Sequence, residues 1–398
     1  RAGAGSAARA VWLEKIPVVI LGIGGAAVTD YAQNVNMFIT PLERYPPTAR
    51  IGMIFYGLWF YFAKTVLPQG LSPLYELPAR VNPLHWRFLL PAIAVTAIAV
   101  ALVALRRRWP AGLAAGVYYA GALAPVIGIV HSGHQLTHDR YSYLPGLGLA
   151  LLFGGVVGAV ARAAADGTIR ASVARALAAA GVVWFIGLSV LTWNQVQVWR
   201  DTDTLWRYAL ESEPDCSICH GNLGAYLSNK GYTALAREHF ELTLKLRPDQ
   251  AKAYLHLGYL FVVTGDFPQA VDAYTIYLKR YPNDPDALSN MGASLMTLHR
   301  TNEALAYLER ALRIRPTHTH ANMNLGFAVD ELGRPVEALE YFRRAIRQKP
   351  KAPQPWAGLA KVHLELGQPD AARTAYGILG MLDPRLAARV GPWLLTTW

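Results

Sequence analysis

"NDPDALSNMGASLMTLHRTNEALAYLERALRIRP" (283–316) runs directly into "THTHANMNLGFAVDELGRPVEALEYFRRAIRQKP" (317–350), and the second stretch repeats the residue classes of the first. The period is 34 residues, kept by Pro214, Pro248, Pro282, Pro316, Pro350 and Pro384. Gly224, Gly258, Gly292 and Gly326 share a second register position, with Ala360 in the fifth place. Gly231, Gly265, Gly333 and Gly367 share a third, with His299 as the departure. Ala236, Ala270, Ala304, Ala338 and Ala372 hold a fourth, and Phe240, Tyr274, Leu308, Phe342 and Tyr376 a fifth. Small residues let two helices of one copy approach closely. Proline ends each copy, because it lacks an N–H and disfavours a helical residue before it. The pattern predicts a stack of helical pairs.

A 34-residue helical pair with these contact residues is the tetratricopeptide signature. The fold class expected is all-α: a polytopic membrane-embedded helical domain over 1–200, then a tetratricopeptide α-solenoid over 201–384 and a cap over 385–398. The chain's 398 residues allow two or three domains, and its +11 charge and 53% hydrophobic content average two unlike halves. It begins at Arg1, which reads as a processed or partial chain. The basic excess needs no nucleic acid, since much of it flanks apolar runs, as at Arg106, Arg107, Arg108, Arg162, Arg170 and Arg175.

Apolar segments lie at Ile16–Val28, Ile51–Val66, Phe88–Leu105, Ala111–Val130, Tyr143–Ala161 and Val173–Trp193. The last four match the length that a hydrocarbon core requires. The second reads equally as a span or an interfacial helix, with Arg50 and Lys64 at its ends. The short basic loops at 106–108 and 162–175 should face the cytoplasm, which places loops 68–86 and 131–141 and the repeats outside. The expected location is the inner (cytoplasmic) membrane, with a periplasmic repeat domain.

The loop "HSGHQLTHDRYSYLPGLG" (131–148) is the sharpest polar feature of this half. Arg140, with Asp139, His138 and the more distant Lys64, could hold a phosphate, because a guanidinium forks onto phosphate oxygens. His131, His134 and His138 could bind a metal. A local Asp139–Arg140 ion pair beside an aromatic belt explains the same residues without a ligand.

"WLEKIPVVILGIGGAAVTDYAQ" (12–33), "WFYFAKTVLPQGLSPLYELP" (59–78), "LAPVIGIVHSGHQLTHDRYSYLPGLGL" (123–149) and "NQVQVWRDTDTLWRYALESEPD" (194–215) occur in this order. Together they resemble the later part of bacterial membrane proteins similar to the transmembrane-and-tetratricopeptide O-mannosyltransferases. The resemblance implies a GT-C-type membrane fold and a lipid-linked sugar donor whose sugar passes to a protein hydroxyl. It places the catalytic acid in an early external loop, before this chain begins, so the catalytic residues are unknown here.

Asp201–Glu213 reads as a half repeat, because Trp206 lies 34 residues before Phe240. Next comes "CSICH", where Cys216, Cys219 and His220 match the pattern of covalent c-type haem attachment. The same residues also fall in phase with the repeat, as ordinary helix positions or a local redox pair. A disulfide inside one helical turn is expected to be strained. On the concave face, Asn222, Tyr226, His256, Asn290, Asn322, Asn324 and Lys361 are candidates to meet a peptide. Two functions stay open: a transferase-related platform for a protein acceptor, or a non-enzymatic scaffold of a larger membrane complex.

Overall fold

The computed structural model describes residues 24, 31, 45–78, 80–127, 135–137 and 139–395. The fold is all-α, and its chain divides into two compact units, Arg1–Cys219 and His220–Trp398. The expected segment Ile16–Val28, apart from Gly24, and the loop histidines His131, His134 and His138 lie outside the described residues.

In the first unit, helix α1 (Pro47–Val66) buries Ala49, Gly52, Met53, Gly57, Phe60 and Tyr61, a stripe at helical spacing. Two clusters form on that stripe. One joins Tyr45, Ala49 and Met53 to Leu77, Phe88 and Leu136. The other joins Phe60 and Tyr61 to Tyr75, Tyr119, Leu123 and Ile127. A Cβ at Gly57 would stand 3.1 Å from Ile127, so glycine is what admits that side chain.

Helices α2 (Trp86–Ala104), α3 (Pro110–Leu123), α4 (Tyr143–Ala165) and α5 (Ala171–Val198) follow. α2, α4 and α5 are long and apolar enough to cross a membrane, and α5 buries none of its residues. The segment expected to span at 111–130 is helical only over Pro110–Leu123. Pro125 has no N–H to continue the helical ladder, and the chain goes on as a turn with the Val126 N–H on the Leu123 carbonyl; residues 128–130 lie outside the described residues.

The connections after α1 and α3 meet in a two-stranded antiparallel ladder, β1 (Tyr75–Glu76) with β2 (Gln135–Thr137). Near the end of α5, Gln195 Nε2 donates to the Leu71 carbonyl at 3.1 Å. The ends of α1, α3 and α5 therefore converge on one face. The basic connections at 105–109 and 166–170 lie a helix length away, roughly 28 Å along α2 at 1.5 Å per residue. Helix α6 (Thr202–Ser212), capped by Asp201 on the Thr204 N–H at 2.9 Å, completes this unit. Its Ala209 packs with Leu74, Cys216 and Cys219.

Helix α7 (Ser217–Asn229) opens the repeats, paired with α8 (Thr233–Leu246). The further pairs are α9 (Ala251–Thr264) with α10 (Phe267–Arg280), and α11 (Pro285–Thr297) with α12 (Thr301–Ile314). They continue as α13 (Thr319–Glu331) with α14 (Pro335–Gln348), and α15 (Pro353–Glu365) with α16 (Pro369–Leu382). α17 (Pro384–Leu395) closes the stack, with the Tyr376 hydroxyl on the Ala387 carbonyl at 3.1 Å. The helix contacts are those of the register. A Cβ at Gly258 would meet the Tyr274 ring at 2.7 Å, and one at Gly292 would meet Leu308 at 2.5 Å. The register alanines Ala236, Ala270, Ala304 and Ala338 are fully buried.

Between the paired helices the chain turns through the left-handed region, with φ of 81° at Gly265 and 57° at His299. A side chain in that region costs about 1 kcal/mol that glycine avoids. His299→Gly is expected to stabilise the array by about 1 kcal/mol, seen as a higher urea midpoint in circular dichroism. Gly292→Val is expected to lower the midpoint by the equivalent of about 1–3 kcal/mol, as Leu308 is forced out of its packing. An unchanged midpoint in both variants would contradict this assignment of the contacts.

Candidate functional site

The concave surface of the repeats carries the first helix of each pair, and register decides which side chains reach it. The residue after the small contact position lies beside that contact at the margin of the helix pair, and at Phe327 the ring meets the Phe342 ring of the paired helix edge-on at 4.9 Å. That position is Tyr259 in the second repeat, Phe327 in the fourth and Lys361 in the fifth. Tyr259 is 51% exposed, and Val263 one turn later is 53% exposed. Toward the C-terminal end these positions open into a cavity of about 200 Å³, lined by Met323, Phe327, Gln354, Ala357, Lys361, Leu386 and Val390. The lining is almost wholly apolar apart from the ammonium group of Lys361 and the amide of Gln354.

Lys361 is held in place. Its Nζ lies 2.5 Å from Asp330 Oδ2 and 3.0 Å from Glu365 Oε1. Burial raises the Asp330 pKa, against the opposing effect of Lys361. Burial pulls the Lys361 pKa down, but pairing with Asp330 and Glu365 carries it above its ordinary value. The ammonium is therefore a fixed charge at the cavity wall.

The other expected contacts are placed unequally. Asn322 is fully buried, donating its amide to the Pro316 and His318 carbonyls at 3.0 Å each. It holds the turn before α13 and lies off the groove surface, against the sequence expectation. Asn324 donates to Ser289 Oγ at 3.3 Å, tying α13 to the preceding repeat. His256 stacks flat on Phe240 with ring centres 5.1 Å apart, and burial lowers its pKa, which keeps the imidazole neutral. Tyr226 has the Lys230 ammonium over its ring at 5.7 Å. Asn222 and Asn290 are half-buried on the same row as Asn324. Position on the first helix together with side-chain type led to these residues, and Tyr259, Met323 and Phe327 were not among them. The register, one residue beyond each small contact, is the signal that finds two of the three.

In the first unit, the side chains of Asp139 and Arg140, and all of His138, lie outside the described residues. Lys64 is committed to its own loop: Nζ donates to the Gln69 carbonyl and, at 3.0 Å, to the Gly70 carbonyl. An apolar cleft of about 680 Å³ opens between α3 and α4, lined by residues including Trp109, Tyr118, Leu147, Leu151 and Val156. Among the described residues no group of three or more His, Cys, Asp or Glu is placed to hold a metal ion.

The "CSICH" residues are arranged unlike a haem site. Cys216 and Cys219 are bonded to each other and buried, at 2% and 0% exposure. His220 Nδ1 lies 2.9 Å from His239 Nδ1. Thioether attachment consumes both thiols, so the pair as bonded does not fit that group. The bridge is also not inside a helical turn, as expected from the spacing, because Cys216 precedes the first residue of α7.

Residues 222–285, 284–351 and 331–389 match family models described as tetratricopeptide repeat. A stretch of 122 residues is 30% identical to protein O-mannosyl-transferase TMTC1 of Mus musculus, covering 31% of this chain and 12% of that protein. Among solved structures, YrrB, titled a TPR protein with an unusual peptide-binding site, aligns at 22% identity with a TM-score of 0.39. It covers 47% of this chain and 97% of its own. PilW, a type IV pilus biogenesis factor, aligns at 21% identity with a TM-score of 0.42, covering 46% and 85%. Pseudomonas aeruginosa pilF aligns at 17% identity and 0.42, covering 50% and 89%. At these identities the likeness is one of fold.

Lys361→Ala leaves Asp330 buried without its cation and is expected to destabilise the array by about 1–3 kcal/mol. The Asp330 pKa already lies above its unfolded value, so the stability tied to its protonated form is lost as pH rises through the folded pKa. Removing the lysine raises that pKa further. The loss should therefore be larger at pH 8 than near the ordinary carboxylate pKa, measured as urea midpoints at both.

Proposed function

We propose that this chain is a membrane-anchored tetratricopeptide platform that binds an extended polypeptide on its concave face, on the extracytoplasmic side. The observation that carries the reading is the apolar cavity lined by Met323, Phe327 and Lys361, with the exposed Tyr259 at the same register position two repeats earlier. A bulky apolar side chain fits that cavity. Main-chain groups of an extended peptide would find the half-buried Asn222, Asn290 and Asn324 on the adjacent row, three residues earlier in the register. Loss of a fully desolvated aromatic anchor typically costs 2 kcal/mol or more.

The anchor rests on α2, α4 and α5, whose apolar side chains stand uncovered. Leu90 is 57%, Val183 69% and Phe185 69% exposed, which suits lipid better than water. The orientation follows from the convergence of the ends of α1, α3 and α5 on one face and the basic connections on the other, which the positive-inside rule assigns to the cytoplasm. A second reading is favoured by the similarity to the mannosyl-transferase. In it the chain is the later part of a transferase using a lipid-linked sugar, with Arg140, Asp139 and His138 near the donor phosphate and the repeats presenting the acceptor. That reading expects Arg140→Ala to abolish glycan transfer in the full-length protein without loss of folding.

Peptides selected by display on the full chain in nanodiscs are expected to carry a bulky apolar residue. They should bind Phe327→Ala at least about 30-fold more weakly. Peptides indifferent to both Phe327→Ala and Tyr259→Ala would overturn the groove assignment. Alkaline phosphatase fused after Leu84 or Glu213 should be active, and fused after Arg107 or Gly167 inactive. The reverse pattern would place the repeats in the cytoplasm.

A further inference from the structure

The start of α7 is finished differently from every later first helix of the array. The register position before each of these helices is Cys216, Gln250, Asp284, His318 and Ala352. Asp284 caps with its carboxylate on the Asp286 and Ala287 N–H groups at 2.9 and 3.2 Å, and His318 Nδ1 accepts from the Ala321 N–H at 3.0 Å. Gln250 and Ala352 provide no side-chain cap. At Cys216 the acceptor is sulfur: the Cys219 N–H lies 3.1 Å from Cys216 Sγ, and the same two residues share the disulfide. The cap and the third helical residue are thus joined covalently, where a capping box would use a serine and a glutamate.

Two further donors of that turn are taken by a residue far away in sequence. Glu76, in β1, accepts from Ser217 Oγ at 2.6 Å and from the Ile218 N–H at 3.3 Å. The Glu76 N–H in turn lies 3.5 Å from Glu213 Oε2. A carboxylate on the first-turn donors of a helix is favoured by the unsatisfied N–H groups and by the helix dipole. This contact forms only while the first turn of α7 keeps its shape. Beneath it, Leu74 packs with Ala209 and both cysteines.

We propose that the Cys216–Cys219 disulfide is an oxidative lock that shapes the first turn of α7 to receive Glu76, and so fastens the connection after α1 to that turn. Two buried thiols need more room than the bond between them, so reduction opens the turn and frees Glu76. The chemistry is ordinary exchange. The thiolate of a dithiol attacks one sulfur and forms a mixed disulfide. Its second thiolate then closes the dithiol into its own disulfide, and both cysteines leave as thiols having gained two electrons and two protons. Formation is the reverse, with the disulfide of a protein thiol oxidant accepting the two electrons. The lock closes in compartments where disulfides persist. It is independent of any ligand in the concave groove.

The test is hydrogen exchange followed by mass spectrometry on the full chain in nanodiscs, oxidised and then reduced with a dithiol. Alkylation after unfolding of the oxidised chain, produced with export to an oxidising compartment, should add nothing to Cys216 or Cys219. Adducts on both would overturn the proposal. On reduction, exchange over 72–78 and 217–220 should accelerate about ten-fold, while 285–348 stays protected. Equal exchange before and after reduction would overturn the lock. Acceleration spread equally over 285–348 would make the bond a general staple and overturn it as well. Glu76→Ala should speed exchange over 217–220 in the oxidised chain and remove the redox response over 72–78. Retention of that response without the carboxylate would contradict the role given to Glu76.

Discussion

The repeats depend on one steric constraint, the contact of a missing side chain with a large one. Gly224 against Phe240, Gly258 against Tyr274, Gly292 against Leu308 and Gly326 against Phe342 each leave no room for a Cβ without displacement, at 2.5–2.9 Å. Close packing at that depth fixes the rotation of each first helix on its partner. Once the rotation is fixed, the side chain one residue further stands at the edge of the pair, where Phe327 and Lys361 line the cavity. The groove's chemistry is therefore a consequence of the same register that folds the array. Tyr259, Phe327 and Lys361 reach the groove because of Gly258, Gly326 and Ala360. The register that sets the helix contacts also sets which side chains line the cavity.

The first unit obeys a different logic. Its long helices bury little of themselves, and its two core clusters gather on one side of α1 and on the connections that cross it. Tyr75, Tyr119 and Ile127 come from three separate connections or helix ends and meet on that stripe. Order in this unit is concentrated where the ends of α1, α3 and α5 converge.

Sequence and structure agree most where periodicity is long. The 34-residue register could be read across five copies, and it located the helical pairs and their contacts. The half repeat was visible from Trp206 alone, and Asp201 proves to be its cap. Agreement fails where the deciding interaction is short or distant in sequence. Strands of two and three residues leave no alternation to detect, so the ladder between Tyr75 and Thr137 left no trace. Pro125 did carry a signal, but apolar composition outweighed it and lengthened α3 on paper. In the groove, polar type suggested Asn322, whose amide is spent on its own turn. Apolar type hid Phe327 and Met323, because an apolar side chain in a helix reads as core until the register shows which way it faces. Cys216 and Cys219 matched a haem pattern because spacing says nothing about whether the two sulfurs are already joined.

The central claim is that a polypeptide lies in the concave groove against the side chains that the register turns outward. A photo-activatable residue at Phe327 tests it directly, compared with one at Val336, which is 69% exposed on the second helix of the same repeat. With a bound peptide selected on the native chain, the account predicts covalent capture from position 327 and none from 336. Capture from 336, or equal capture from both, would show that the peptide is held elsewhere and would contradict the account.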